Sequence, residues 1–299
     1  MRERLERRLD VGSSDGAVGI REQIIFGPSN EGFVRGRIGS KRVDFFFDSG
    51  SSSSFINEAL AIELGFRFLG DESVAVSTVA DVASLRMAEA PPIHIGETTL
   101  ENVLLLITPK NGSFGGYGRG ITLGTPVMRA PGKVAWLKGG SEFAAGDQVP
   151  DAACLSRPRP LFQYQGYLGL IGELPQGAAP AFFDGGFLYT FLNHTAARTY
   201  SPETRIESKA RYASQVERAG KRTIGTRGAS KFRMRIGDAE IALKDVRAIF
   251  PIETGPIGFV AQFGMDMVKQ TGALVYDFDT LTYAAVGKND PRLAACLPN

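Results

Sequence analysis

Two aspartates in this 299-residue chain occupy the same local setting. Phe45-Phe46-Phe47-Asp48-Ser49-Gly50 and Ala181-Phe182-Phe183-Asp184-Gly185-Gly186 each carry an apolar run straight into an Asp-x-Gly turn. Both continue to a Phe-aliphatic-Asn triplet, Phe55-Ile56-Asn57 and Phe191-Leu192-Asn193. One such aspartate is ordinarily a turn residue bonded to its own backbone. Two of them, 136 residues apart at equivalent places of a repeat, must meet if the halves pack about a two-fold axis. Carboxyls roughly 3 Å apart cannot both ionise and hold one proton between them. The ionised member can then take a proton from water while the protonated one donates to a carbonyl oxygen, which is acid–base hydrolysis of a peptide bond without a covalent intermediate.

The elements that would position these aspartates repeat as well. Ile93-His94-Ile95-Gly96 is answered by Met234-Arg235-Ile236-Gly237, Ile121-Thr122-Leu123-Gly124 by Ala261-Gln262-Phe263-Gly264, and Ala152-Ala153-Cys154-Leu155 by Ala294-Ala295-Cys296-Leu297. The offsets stay between 136 and 142, so the order of matches is conserved along the chain. Ser156-Arg157-Pro158-Arg159-Pro160 reads as a linker, since closely spaced prolines resist helix and central strand. Two domains follow, 1–155 and 156–299. Most segments are short, rich in Val, Ile, Phe and Thr, and punctuated by Gly or Pro, which predicts strands and hairpins. Helix is expected only after each aspartate, over Asn57–Leu64 and Asn193–Arg198, each opened by an Asn suited to cap it.

With 43% hydrophobic and 22% charged residues the chain can bury a sizeable core, and a net charge of +2 gives no ground for a nucleic-acid partner. The longest apolar runs are far shorter than the roughly 20 residues a membrane helix needs. Met1–Leu9 is charged throughout and lacks the apolar stretch of a signal peptide, so the expected compartment is the cytoplasm and Cys154 and Cys296 are expected to be free thiols. His94 and His194 have no Cys or Asp at ligand spacing, so neither a metal nor another cofactor is expected. Gly112–Gly120 is glycine-dense, but no Gly-Lys-Ser/Thr follows it and it reads as a loop.

The segment Phe45–Ile56 resembles the first signature of the retropepsin and pepsin family of aspartic proteases, apolar residues followed by Asp, Ser or Thr, Gly and small hydroxyl residues. Leu123-Gly124 and Phe263-Gly264 resemble its second signature. The resemblance implies an all-β, pepsin-like bilobal acid-protease fold made of two retropepsin-like β-barrel lobes related by a pseudo-two-fold axis. It further implies an aspartic endopeptidase acting on a peptide or protein substrate, monomeric because one chain carries both halves of the pair. Asp48 and Asp184 would be catalytic, supported by Ser49, Gly50 and Ser51 on one loop and Gly185 and Gly186 on the other. Ser49 would buttress the opposite loop, and Ser51 would bond the outer oxygen of Asp48. Gly185 and Phe187 replace these hydroxyls in the second lobe, which leaves Asp184 with fewer donors and makes it the expected proton carrier. A flap over the cleft would fall near Val76–Ser84, with Ser77, Thr78, Val79, Ala80 and Asp81 as substrate contacts. Between 205 and 235 the second lobe carries ten Lys or Arg against two Glu, a solvated loop or a lid for acidic substrates. Two other readings stay open: a peptide-binding protein with impaired catalysis, and an acid–base enzyme acting on a non-peptide substrate.

Overall fold

The computed structural model describes residues 10–13, 19–27, 32–77, 82–109, 120–164, 167–193, 225–250 and 259–297. Among the described residues it is mostly β-strand, with helices of four to six residues. Phe45, Phe46 and Phe47 show why. They lie on one strand, Lys41–Asp48, and all three are buried, so both of its faces are covered, as a continuous apolar run demands.

The strand arrangement around each aspartate is the same. Lys41–Asp48 pairs in parallel with Gly120–Gly124, which runs antiparallel to Phe55–Asn57, which in turn lies parallel to Leu104–Thr108. In the second half Gly177–Phe183, Ala261–Phe263, Phe191–Asn193 and Ala239–Phe250 take those four places with the same senses. The second set closes on itself through Gly225–Ile236 and Tyr167–Leu174, the latter pairing back onto Gly177–Phe183, so no edge is left open there. This is the retropepsin-like barrel that the sequence leads one to expect.

A six-stranded run joins the halves, in the order Gly19–Gln23, Glu142–Gly146, Lys133–Leu137, Thr271–Asp277, Thr282–Gly287, Arg159–Tyr164. At its centre Val134 faces Tyr276, Ala135 faces Val275 and Trp136 faces Leu274. The sequence repeat aligns Trp136 with Tyr276 and Val134 with Leu274, so this register maps onto itself under a rotation about the Ala135–Val275 pair. Trp136, Phe143 and Tyr276 are buried on the dyad side of this sheet, while Ala135, Leu137, Val275 and Val286 line the opposite side under Ala152–Leu155 and Arg292–Cys296.

The expectation of free thiols is corrected here: Cys154 and Cys296 form a disulfide, with Cα atoms 5.8 Å apart. Being repeat equivalents, they can bond only where the symmetry axis passes between them, and the two terminal helices cross at that place. The helix expected after the first aspartate is present as Glu58–Glu63, and Asn57 caps it by accepting from the Ala59 N–H. Its counterpart at 194–198 lies outside the described residues. So do Thr78, Val79, Ala80 and Asp81 of the expected flap, the glycine-dense stretch 112–119, and most of the basic stretch before Gly225. No helix among the described residues is long and apolar enough to cross a membrane.

Candidate active site

Each aspartate ends its strand and caps its own turn. The Gly50 N–H donates to Asp48 Oδ1 and the Gly186 N–H to Asp184 Oδ1, both at 3.0 Å. The glycines are there because the loops interlock. A Cβ on Gly50 would overlap the Asp184 carboxyl, and one on Gly186 would lie 2.8 Å from Asp48 Cγ. Each loop therefore seats the other's carboxylate where a side chain would stand. The structure thus brings Asp48, Asp184, Gly50 and Gly186 into one cluster, and a hydrogen bond joins the two carboxyls.

Ser49 is fully buried and ties the loops together. Its Oγ donates to the Phe183 carbonyl (2.8 Å) and accepts from the Gly185 N–H (3.1 Å). The reciprocal bonds cannot form, because position 185 has no side chain, and the Phe47 carbonyl stands only 2.5 Å from where its Cβ would be. The clasp is one-sided. Ser51 differs from expectation: its hydroxyl donates to the Ser53 carbonyl at 2.7 Å, and it is the Ser51 backbone N–H that reaches Asp48.

The second-signature glycines lie behind the loops. A Cβ on Gly124 would overlap the Ser53 carbonyl, and one on Gly264 would sit 2.7 Å from the Tyr189 nitrogen. Ser54 accepts from the Gly124 N–H at 3.0 Å and Thr190 from the Gly264 N–H at 3.3 Å, so each loop is pinned to the strand behind it in the same way.

Burial, and then the charge of Asp48, pushes the Asp184 carboxyl well above the usual carboxylate range. Asp48 is also raised by burial, but the Asp184 side chain and the N–H groups of Gly50, Gly186 and Ser51 hold it lower. Both causes favour the protonated form of Asp184 over the ionised one. Its exposure is 4%, whereas Asp48 is half-buried and forms the open side of the pair. Tyr167 is held protonated by burial and then by the charges of Asp184 and Asp48. Its ring packs at a tilt against Phe182, with centroids 4.8 Å apart.

One polar contact was not foreseen. Gln262 Nε2 donates to Asp184 Oδ2 at 2.7 Å. Gln262 lies on Ala261–Phe263, opposite Phe182 on the strand that delivers Asp184. The available signal was a single polar residue inside the apolar run Val260-Ala261-Gln262-Phe263, two places before the signature glycine.

The packing of Gly50 against Asp184 gives a first prediction. In Gly50→Ala the new methyl must force the loops apart, and displacement of a catalytic group by about 1 Å costs about 100-fold. Turnover of any substrate should fall by at least that factor, measured beside wild type after circular dichroism has shown equal folding.

No curated protein matches the chain. A family of aspartyl proteases does match it, over residues 34–127, a stretch that contains Asp48, the flap hairpin and the Leu123-Gly124 signature but stops short of Asp184. The match covers less than half of the chain, and over that stretch the chain is similar to the aspartyl proteases.

Proposed function

We propose that this protein is an aspartic endopeptidase in which Asp48 and Asp184 activate one water between them. The observation that carries the reading is the interlock, two Asp-x-Gly loops each seating the other's carboxylate. Asp48 acts as the base toward water from the open side, and Asp184 supplies the proton to the scissile carbonyl. Both acids come from one chain, which supports a monomer. The substrate is an extended peptide, laid across the cleft beneath the first-lobe hairpin. The disulfide weighs for an oxidising compartment and against the cytoplasm expected from the charged opening of the sequence.

The 4% exposure of Asp184 favours a second reading, a peptide-binding protein whose dyad seldom turns over. Incubation with a diverse peptide pool from acid to neutral pH, read by mass spectrometry, separates the two. Fragments that vanish in Asp48→Asn support the endopeptidase, whereas retained but intact peptides support the binder.

A stability measurement tests the proton assignment apart from turnover. A carboxyl whose folded pKa lies above its unfolded value of 3.8 contributes its full stability below that value and loses it as pH rises through the folded pKa. Across that window wild type should lose about 1.4 kcal/mol per pH unit relative to Asp184→Asn, which has no proton to give up there. Urea midpoints of both proteins at intervals upward from about pH 4 read the difference. Parallel curves would mean that Asp184 is not the raised member.

A further inference from the structure

Asp184 has lost both loop hydroxyls that the family motif would place around it. Gly185 offers no side chain, and Phe187 turns its ring to Phe191, with centroids 5.7 Å apart. Yet Oδ2 of Asp184 is not left bare. The amide of Gln262 reaches it from the neighbouring strand at 2.7 Å. The corresponding place in the first lobe holds Thr122, which is registered against Phe46 and Phe55 as Gln262 is against Phe182 and Phe191. The longer side chain therefore sits only in the lobe that lacks the hydroxyls.

We infer that Gln262 is a positioning residue for Asp184, supplying from the strand behind it a side-chain hydrogen bond to Oδ2 that has no counterpart at Asp48, where Thr122 stands in its place. A primary amide suits this place. Its N–H can donate to an ionised Oδ2, and after rotation by 180° its carbonyl can accept from a protonated one. Asp184 is thus held in one orientation whichever of the two acids carries the proton. The backbone N–H of Gly186 fixes the other oxygen, so both oxygens are restrained. This inference goes beyond the peptidase reading but rests on it wherever turnover is concerned.

The test follows the side chains directly. In protein labelled with ¹³C at the aspartate carboxyl carbons, the coupled titration of Asp48 and Asp184 is recorded for wild type, Gln262→Leu and Gln262→Thr. The threonine variant imports the residue that the first lobe already accommodates, so it serves if leucine impairs folding. The other titratable groups acting on Asp184 are Asp48, Tyr167 and Tyr276, and both tyrosines stay protonated through the range measured. Loss of a hydrogen bond to a charged group should raise the upper of the two apparent pKa values by about one unit. The alkaline limb of the pH–rate profile should move by the same amount, with kcat down at least tenfold and KM little changed. Titrations in both single variants that superimpose on wild type overturn the proposal. If wild type cleaves no peptide, the carboxyl titration still decides the role of Gln262, so the two readings fail separately.

Discussion

Asp48→Asn should reduce peptide cleavage by between about 10² and 10⁴-fold, the usual contribution of a positioned acid or base. Of the two acids Asp48 is the half-buried one, restrained by three backbone N–H groups and left to meet the water. An asparagine keeps the size and can keep the Gly50 bond, but it cannot take a proton. Asp184→Asn should cost a comparable factor for another reason, since an amide cannot pass a proton to the scissile carbonyl as a carboxylic acid does. The pair works as a unit, so the double variant should be scarcely slower than either single one. Initial rates on the best peptide from the pool, with folding checked by near-UV circular dichroism, decide the matter. Multiplicative losses would show that the aspartates do not share one proton, and undiminished cleavage in Asp48→Asn would remove the endopeptidase reading.

The second large effect concerns the disulfide. Cys154 and Cys296 are separated by 142 residues, and on the chain-entropy account closing a loop of that size stabilises by about 5 kcal/mol. Whole-domain stabilities are only about 5–15 kcal/mol. The bond also ties Ala152–Leu155 to Arg292–Cys296 over the small-residue side of the joining sheet, where the apolar cover is thin. Replacing both cysteines by serine should lower the melting temperature by on the order of 10 °C. Cleavage at room temperature should be largely kept, because the dyad lies across the sheet from the bond. A thiol assay on the denatured, unreduced protein is the companion check. Two titrating thiols, or an unchanged melting point in the serine variant, would refute this account.

What could be read in the sequence was whatever is written locally. An apolar strand running into Asp-x-Gly states its own turn, and its recurrence 136 residues on, together with the resemblance to the family's second signature, singled out Asp48, Asp184, Gly124 and Gly264. The partners of Ser49 were legible from the family pattern. Those of Ser51 were not, because a 2.7 Å bond to the Ser53 carbonyl depends on how sharply the turn closes. Gln262 and the disulfide escaped for a different reason. Each is a relation between segments whose alignment exists only after folding: Gln262 through its register with Phe182, and Cys154 with Cys296 through the place where the axis pierces the terminal helices. The expectation of free thiols was drawn from the charged opening of the sequence and fell with the disulfide.

The one-sided clasp bears on how labour is divided between the acids. An enzyme assembled from two identical copies presents equal aspartates and must choose afresh, in every cycle, which one will hold the hydrogen. Here the hydroxyl of Ser49 crosses in one direction and no hydroxyl crosses back, so the two acids start from unequal surroundings. Such a molecule gives up interchangeable roles and gains a resting state that already faces the right way.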